Sequence, residues 1–206
     1  MKKQIAALAC AGALLSAACL PARAAGAYID VAPTAWYAEA VAEAGEKGYM
    51  TGTGEGYFSP GAPVTRATAV TVLWRLAGSP APGGQASFSD VPGGSWYETA
   101  AAWAQAAAIA KGDDQGRFNP DAGVTRQELA VFLARYDLNR GVELAEGRLS
   151  LFSDAEQISA WAGDGMRHAV GMGLLQGSGG CISPRGTATR AQLAVVLQRL
   201  TTPAAG

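Results

Sequence analysis

Cysteine and histidine are scarce in this sequence, and their scarcity excludes several kinds of site. The chain has 206 residues, with three cysteines and a single histidine, His168. Cys10 and Cys19 fall in an apolar N-terminal stretch, so Cys181 has no partner for an intramolecular disulfide. Neither His168 nor Cys181 has the neighbouring base or orienting residue that nucleophilic catalysis requires. We therefore predict no catalytic residue, no cofactor and no metal site, and a protein that is not an enzyme.

An excess of positive charge and long apolar segments are also missing. Without Lys2, Lys3 and Arg23 of the N-terminal stretch, the 16 basic residues fall to 13 against 17 acidic ones. A mildly acidic chain without a basic tract argues against nucleic acid as a partner. No segment after residue 20 is long and apolar enough to cross a bilayer, so no membrane span is expected beyond the N-terminus.

The N-terminus has the pattern of a secretory signal peptide. A basic start precedes an uncharged apolar run over residues 5–20, which leads to the small-residue site Pro21-Ala22-Arg23-Ala24. We predict that residues 1–24 are a signal peptide cleaved after Ala24, and that the protein is secreted. A membrane anchor is the competing interpretation, but the run is short for a bilayer. Lipid attachment at Cys19 has little support, because the aliphatic residue of a lipobox is missing three positions upstream.

Internal repetition is the most informative feature of the remaining chain. The triplets Phe58-Ser59-Pro60, Phe118-Asn119-Pro120 and Ile182-Ser183-Pro184 recur at intervals of 60 and 64 residues. An aspartate, a tryptophan and the arginine of a Thr-Arg pair recur with them. These are Asp30, Asp90 and Asp154; Trp36, Trp96 and Trp161; and Arg66, Arg126 and Arg190. So many coincident offsets predict three copies of one repeat, over residues 25–79, 85–139 and 149–202.

Each copy has the pattern of two helices joined by a loop. A first helix of about three turns is expected near the tryptophan, with apolar residues at helical spacing and a glycine-containing exit. A second helix is expected to begin at Thr65, Thr125 and Thr189, where Glu128 and Gln192 complete two capping boxes. The second helices are apolar on nearly every side, which is typical of buried helices. The predicted fold is mainly α, with three helix-loop-helix repeats, a central bundle of the second helices and the first helices outside.

The ordered motifs resemble the S-layer homology domain, a family of cell-envelope attachment repeats. The specific motifs are Phe-Ser-Asp-Val at 88–91, Trp-Tyr at 36–37 and 96–97, Gly-x-Phe-x-Pro at 116–120, and Thr-Arg-Gln-Glu at 125–128. The resemblance covers residues 28–200 and implies a pseudo-threefold assembly around a central three-helix bundle. It also implies non-covalent binding of secondary cell-wall polysaccharide, often bearing a pyruvate ketal, in grooves between neighbouring repeats.

The same resemblance assigns ligand contacts to one arginine, one aspartate and one tryptophan of each copy. The arginine of the Thr-Arg pair is the family's main anion contact, which corresponds to Arg66, Arg126 and Arg190. The aspartate before the first helix corresponds to Asp30, Asp90 and Asp154. The tryptophan corresponds to Trp36, Trp96 and Trp161.

The residues themselves leave two of these roles open. An arginine at the first position of a helix lies beside amide groups and a positive dipole end that favour an anion, and its guanidinium can hold a carboxylate bidentately. The alternative is a structural ion pair between each arginine and the local aspartate, and the two can coexist. A tryptophan at the start of an amphipathic helix is more often a core residue than a platform for a sugar.

The three copies are not expected to work equally well. In copy three Ala162 replaces the tyrosine after the tryptophan, and Ile182 replaces the phenylalanine of the triplet. Gly163 and Gly165 are expected to weaken the first helix of that copy. The groove built mainly from copy three is therefore expected to be degenerate.

Two functions fit these observations. The first is attachment to the cell wall or cell surface through a polysaccharide, as the repeated motifs indicate. The second is a structural or adaptor protein that uses the repeats to contact a cell-surface protein, because the repeats are expected to account for the whole mature chain. Nucleic acid is not an expected partner in either case.

Overall fold

Six α-helices carry the fold, two from each copy of the repeat. The computed structural model describes residues 28–202, so the predicted signal peptide at 1–24 lies outside the described residues. The helices are α1 (Ala38–Glu46), α2 (Arg66–Leu76), α3 (Glu98–Ala106), α4 (Arg126–Asn139), α5 (Gly163–Gly171) and α6 (Arg190–Thr201). Three 3-10 helices, Leu149–Leu151, Ala155–Gln157 and Ala160–Ala162, lead into α5. Within residues 28–202 the β contacts are isolated bridges, and the predicted mainly helical fold is confirmed.

Threonine side chains set the starts of the second helices, as predicted. Thr65, Thr125 and Thr189 are the N-cap residues, and each side-chain oxygen accepts a hydrogen bond from the amide three residues later. In α4 and α6 the side chain of Glu128 or Gln192 accepts the N-cap amide in return, so both predicted capping boxes are confirmed. A cap of this kind stabilises a helix by roughly 1 kcal/mol.

The first helices begin near the repeated tryptophans, as predicted, two residues after each one. Small residues such as Ala40 and Ala44 form the buried face of α1, and α3 buries a similar run of alanines. The tryptophans are exposed: Trp36 by 68%, Trp96 by 65% and Trp161 by 59%. Their interpretation as core residues is therefore wrong, because each one lies just before its helix and outside the helix's buried face.

Three backbone hydrogen bonds join the copies into a ring. The amide of Val64 donates to the carbonyl of Ala188 at 2.9 Å, and the amide of Ala188 donates to Val124 at 2.8 Å. The amide of Val124 donates in turn to Val64 at 2.8 Å, and all three residues are fully buried. Each bond links a different pair of copies, so copy three is joined to copy one as directly as consecutive copies are joined. A cyclic order of this kind is what a pseudo-threefold arrangement requires.

Neighbouring copies are also held together by helix packing across their boundaries. The first helix of each copy packs on the second helix of the preceding copy in the ring: α3 on α2, α5 on α4, and α1 on α6. The second helices bury residues on several sides, as predicted, and α2 and α4 also approach each other. The packing that stabilises a helix therefore comes largely from another copy, and a single copy would leave apolar faces uncovered.

The contact between α4 and α5 depends on a glycine and on the single histidine. A Cβ atom at Gly165 would lie 2.9 Å from the backbone of Val131, so this glycine permits the close approach of the two helices. His168 is fully buried; its Nε2 lies 3.0 Å from a carboxylate oxygen of Asp137, and its Nδ1 accepts the amide of Ala145 at 3.1 Å. His168 is thus a core residue that fastens the linker at 139–148 to this pair of helices.

Other chemistry is sparse in the described part of the chain. Between residues 28 and 202, no group of three or more His, Cys, Asp or Glu side chains could hold a metal ion. Cys181 is a free, half-buried thiol whose sulfur lies 3.3 Å from the hydroxyl of Ser153. Over the same residues, none of the helices combines the length and the apolar character that crossing a membrane requires.

Candidate ligand-binding grooves

The Phe-x-Pro triplet forms a buried, strained turn before each second helix. Its first residue is fully buried in every copy, as Phe58, Phe118 and Ile182. Its middle residue has a positive φ of 58°, 56° and 53° at Ser59, Asn119 and Ser183. The left-handed conformation costs a residue other than glycine about 1–2 kcal/mol, so other contacts must hold the turn in place.

The repeated aspartates hold this turn with both of their carboxylate oxygens. Asp30 accepts the amides of Phe58 at 2.8 Å and Ser59 at 2.7 Å. Asp90 and Asp154 accept the two equivalent amides at 2.6–2.8 Å. The amide of Ile182 is the main reason that the pKa of Asp154 lies below its ordinary value, and burial acts in the opposite direction. Burial raises the pKa of Asp30, but the amides outweigh it, so this pKa is lowered as well.

The repeated arginines clamp each copy onto the following one. Each Nε donates to the carbonyl of the buried triplet residue of the following copy, at 2.7–2.8 Å. Each Nη2 donates to a second carbonyl of that following copy, in the loop after its first helix, at 2.6–2.9 Å. The acceptors are Phe118 and Lys111 for Arg66, Ile182 and Gln176 for Arg126, and Phe58 and Thr51 for Arg190. Burial lowers the pKa of all three guanidinium groups, while nearby acidic groups act in the opposite direction.

The N-terminal amides of the second helices are not available to an anion. In α2 the amide of Arg66 donates to Ala122 and the amide of Ala67 donates to Pro120, both at 2.9 Å. The first two amides of α4 and α6 bind carbonyls of the following copy in the same way. The third amide of each helix is bound by its threonine cap. The prediction of free amides that could bind an anion is therefore wrong, because ring closure uses the same groups.

The structure also contradicts the alternative role of the arginines, an ion pair with the aspartate of the same copy. Among the described residues, none of the three arginines has a guanidinium nitrogen within 4.0 Å of a repeated aspartate. The acidic partner of Arg66 is Glu128 of copy two, with 3.7 Å between Nη1 and Oε1. Each arginine reaches into the following copy, so the aspartate of its own copy is not its neighbour.

Three surface grooves lie at the boundaries between copies, and each is lined by residues of all three copies. Groove 1, of about 520 Å³, is lined by residues 50–53, Thr68, Thr71, Val72 and Arg75 of copy one, with Trp96 and Arg190. Groove 2, of about 230 Å³, is lined by Lys111, Gly112, Glu128, Val131, Phe132 and Arg135 of copy two, with Trp161 and Arg66. Groove 3, of about 440 Å³, is lined by residues 174–178, Gln192, Val195, Val196 and Arg199 of copy three, with Trp36 and Arg126.

The grooves bring together the predicted arginines and tryptophans but not the predicted aspartates. One copy forms the wall of each groove, the following copy supplies the tryptophan, and the preceding copy supplies the arginine. The aspartates lie outside the lining of these grooves and hold the turns to which the arginines bind. Trp161 of copy three contributes to groove 2, whereas groove 3 contains Trp36 of copy one. By volume, the smallest of the three grooves is groove 2, whose wall is formed by copy two.

A second arginine in each groove escaped the sequence analysis. Arg75, Arg135 and Arg199 line grooves 1, 2 and 3. Each donates from Nη1 to a carbonyl near the end of the first helix of its own copy, at 3.2–3.3 Å for its best contact. Burial lowers the pKa of Arg135 and Arg199. The signal was present in the sequence, because each arginine follows the Thr-Arg arginine of its copy by nine residues.

The fold joins three helical repeats cyclically, and each of the three grooves combines two arginines with an exposed tryptophan. The protein is therefore a helical repeat module with a surface groove at each boundary between copies. The chain belongs to the S-layer homology domain family. It matches the family at residues 27–70, 87–130 and 151–194.

Similar proteins include both surface-layer proteins and enzymes. The chain is 32% identical over 193 residues to the "Surface-layer 125 kDa protein" of Lysinibacillus sphaericus, covering 91% of this chain and 16% of that protein. It is 29% identical over 185 residues to the "S-layer protein sap" of Bacillus anthracis, covering 88% and 22%. It is 31% identical over 180 residues to an "Endoglucanase" of Bacillus sp. (strain KSM-635), covering 84% and 18%. The chain thus spans less than a quarter of each of these relatives.

Proposed function

We propose that this protein attaches non-covalently to the bacterial cell envelope by binding secondary cell-wall polysaccharide in its inter-repeat grooves. The observation that carries the proposal is that all three grooves present two arginines beside an exposed tryptophan. Relatives named as surface-layer proteins share this region, which supports a role at the cell surface. In this proposal the chain has no catalytic role.

The groove chemistry suits a sugar that carries a carboxylate, such as a pyruvate ketal. A guanidinium has five N–H donors, and the clamp uses Nε and one hydrogen of Nη2. The remaining donors can bind a carboxylate, and charge-assisted bonds of this kind contribute about 1.5–3 kcal/mol each when they are partly buried. An indole face gives a sugar ring a flat apolar surface with one polar edge.

The predicted site residues divide into two roles in this proposal. Arg66, Arg126 and Arg190, together with Trp36, Trp96 and Trp161, contact the ligand. Asp30, Asp90 and Asp154 are positioning residues, because their oxygens are occupied by the amides of the turn that carries each arginine's acceptor.

The tryptophans give a cleaner test than the arginines, whose removal would also break the contacts between copies. We expect the purified protein to cosediment with cell-wall sacculi, and to lose most of this binding after mild acid has removed ketal groups. Replacing Trp36, Trp96 and Trp161 together by Ala should abolish binding without unfolding the protein, because all three side chains are mostly exposed. Leu151→Ala is the matched control, since Leu151 is 63% exposed and lines none of the three grooves.

The outcomes separate the components of the proposal. Binding that survives acid treatment would remove the ketal carboxylate from the mechanism but would retain the polysaccharide. Absence of binding to any envelope preparation would refute attachment through the grooves. If the triple tryptophan variant still localised to the cell surface in whole cells, a protein partner would replace the polysaccharide as the anchor.

A further inference from the structure

A tyrosine follows the groove tryptophan in copies one and two, and an alanine follows it in copy three. Tyr37, Tyr97 and Ala162 are the N-cap residues of α1, α3 and α5. Their backbones are nearly the same, with φ of −107°, −105° and −99° and ψ of −1°, −2° and −4°. The three copies therefore differ here in the side chain and not in the backbone.

Each tyrosine ring contacts the neighbouring indole in an edge-to-face arrangement. The ring centres of Trp36 and Tyr37 lie 5.2 Å apart, with an angle of 85° between the ring planes. Those of Trp96 and Tyr97 lie 5.2 Å apart, with an angle of 87°. Contacts of this geometry are favourable between aromatic rings. Within residues 28–202 the ring of Trp161 forms no such pair, so the tryptophan of copy three lacks the aromatic support of the other two.

The two tyrosines are anchored in the core, whereas the tryptophans are mostly exposed. Tyr37 and Tyr97 are half-buried and pack against the hydrophobic core, and neither one lines any of the three grooves. An exposed side chain changes rotamer within picoseconds to nanoseconds, and a ligand that binds it must overcome the entropy of fixing it. An anchored ring beside the indole removes part of this cost before a ligand arrives.

We propose that Tyr37 and Tyr97 are positioning residues, which hold the tryptophans of grooves 3 and 1 ready for a sugar ring, and that Trp161 of groove 2 is mobile until a ligand binds. This inference rests on the proposed function of the grooves. It requires no charge on the ligand, because an indole offers its apolar face to a sugar. The tyrosines act through the tryptophans and do not touch the ligand themselves, since both lie outside the lining of the grooves.

The indole N–H signals of a nitrogen-labelled sample measure the order of each tryptophan separately. Trp74 is the rigid reference, because its indole N–H donates to the carbonyl of Pro80 at 2.8 Å. In the free protein we expect the relaxation of the Trp36 and Trp96 signals to resemble that of Trp74. The Trp161 signal should instead show large-amplitude motion on the picosecond to nanosecond timescale. This measurement tests the role of the tyrosines without any ligand.

Tyr97→Leu removes the ring contact beside groove 1 and keeps an apolar side chain against the core. No helix cap is lost, because the side chain of Tyr97 makes none. The Trp96 signal should become as mobile as the Trp161 signal. The affinity for oligosaccharides released from purified sacculi, titrated at Trp96, should fall about fivefold, which corresponds to about 1 kcal/mol, while the affinity at Trp36 stays unchanged. Tyr37→Leu should lower the affinity at Trp36 by a similar factor and leave Trp96 unchanged.

Tyr97→Phe is the matched control, because it keeps the ring and removes only the hydroxyl, and it should change neither the order of Trp96 nor its affinity. A Trp161 signal as rigid as that of Trp96 in the free protein would overturn the inference. So would a Tyr97→Leu variant in which Trp96 stays rigid, or becomes mobile without losing affinity. If oligosaccharides moved no indole signal in the unaltered protein, the proposed function of the grooves would fail, while the order of the free indoles would still decide whether the tyrosines fix them.

Discussion

Arg190 closes the ring between copy three and copy one, and Arg190→Ala should therefore cost more stability than its half-exposed position suggests. Its Nε donates to the carbonyl of Phe58 at 2.8 Å, and its Nη2 donates to the carbonyl of Thr51 at 2.6 Å. Its guanidinium also lies 4.6 Å from the centre of the Phe58 ring. Hydrogen bonds from a charged donor contribute about 1.5–3 kcal/mol each, and a cation–π contact adds about 0.5–1 kcal/mol.

Water can replace one of these partners, which sets the size of the expected loss. Thr51 is exposed, so its carbonyl can be hydrated in the variant, whereas Phe58 is fully buried and its carbonyl is expected to remain unpaired. We therefore expect the free energy of unfolding to fall by about 3.5 kcal/mol, the lower end of the sum. Arg190→Lys should lose roughly half of this amount, because an ammonium keeps the charge but cannot reach both carbonyls as a fork.

Urea unfolding followed by circular dichroism measures the loss, and Arg75→Ala is the matched control. Arg75 has a single hydrogen bond, of 3.3 Å, to the carbonyl of Tyr49 and joins no two copies. We expect its replacement to cost less than about 1 kcal/mol. A loss below that value for Arg190→Ala, or equal losses for the two variants, would show that the arginine is not a clamp.

Three further predictions concern individual side chains and their effect on stability. Ala108→Gly should raise the free energy of unfolding by about 0.5–1 kcal/mol in thermal melts, because Ala108 has a φ of 55° where the other copies have Gly48 and Gly173. Thr71→Val should stabilise the fold by about 1 kcal/mol in urea, since its buried hydroxyl has no hydrogen-bond partner in the structure; destabilisation would contradict this. Stability should hold above about pH 4 and fall at lower pH, because the lowered pKa values of Asp30 and Asp154 favour the folded state only while both are ionised. Acid titration of Asp154→Asn should show a smaller fall.

The sequence was sufficient to predict the parts of the fold that neighbouring residues determine. A threonine followed three residues later by Glu128 or Gln192 predicts a capped helix start, and both starts are where the pattern placed them. The first helices have no such signal, because Tyr37 and Tyr97 at their N-caps make no side-chain cap. The sequence therefore locates these starts only as near the tryptophans, and the general preference of tryptophan for a core does not decide whether these side chains are buried.

Contacts between copies could not be read from the repeat. Periodicity shows that Arg66, Arg126 and Arg190 are equivalent, but it does not show which copy each one touches. The sequence left open a pairing within the copy, whereas each arginine binds carbonyls of the following copy. The same limitation hid the place of Trp161, which lies in the groove walled by copy two and not in the groove walled by its own copy.

The division of each groove among three copies also affects how such modules can change in evolution. A substitution in one copy alters a groove whose wall belongs to another copy, so divergence between copies does not translate into loss of the correspondingly numbered groove. Deleting one copy would remove the wall of one groove, the tryptophan of a second and the arginine of a third. It would also leave two of the three ring bonds without a partner. The complete set of three copies is therefore the smallest unit that keeps any of the grooves intact.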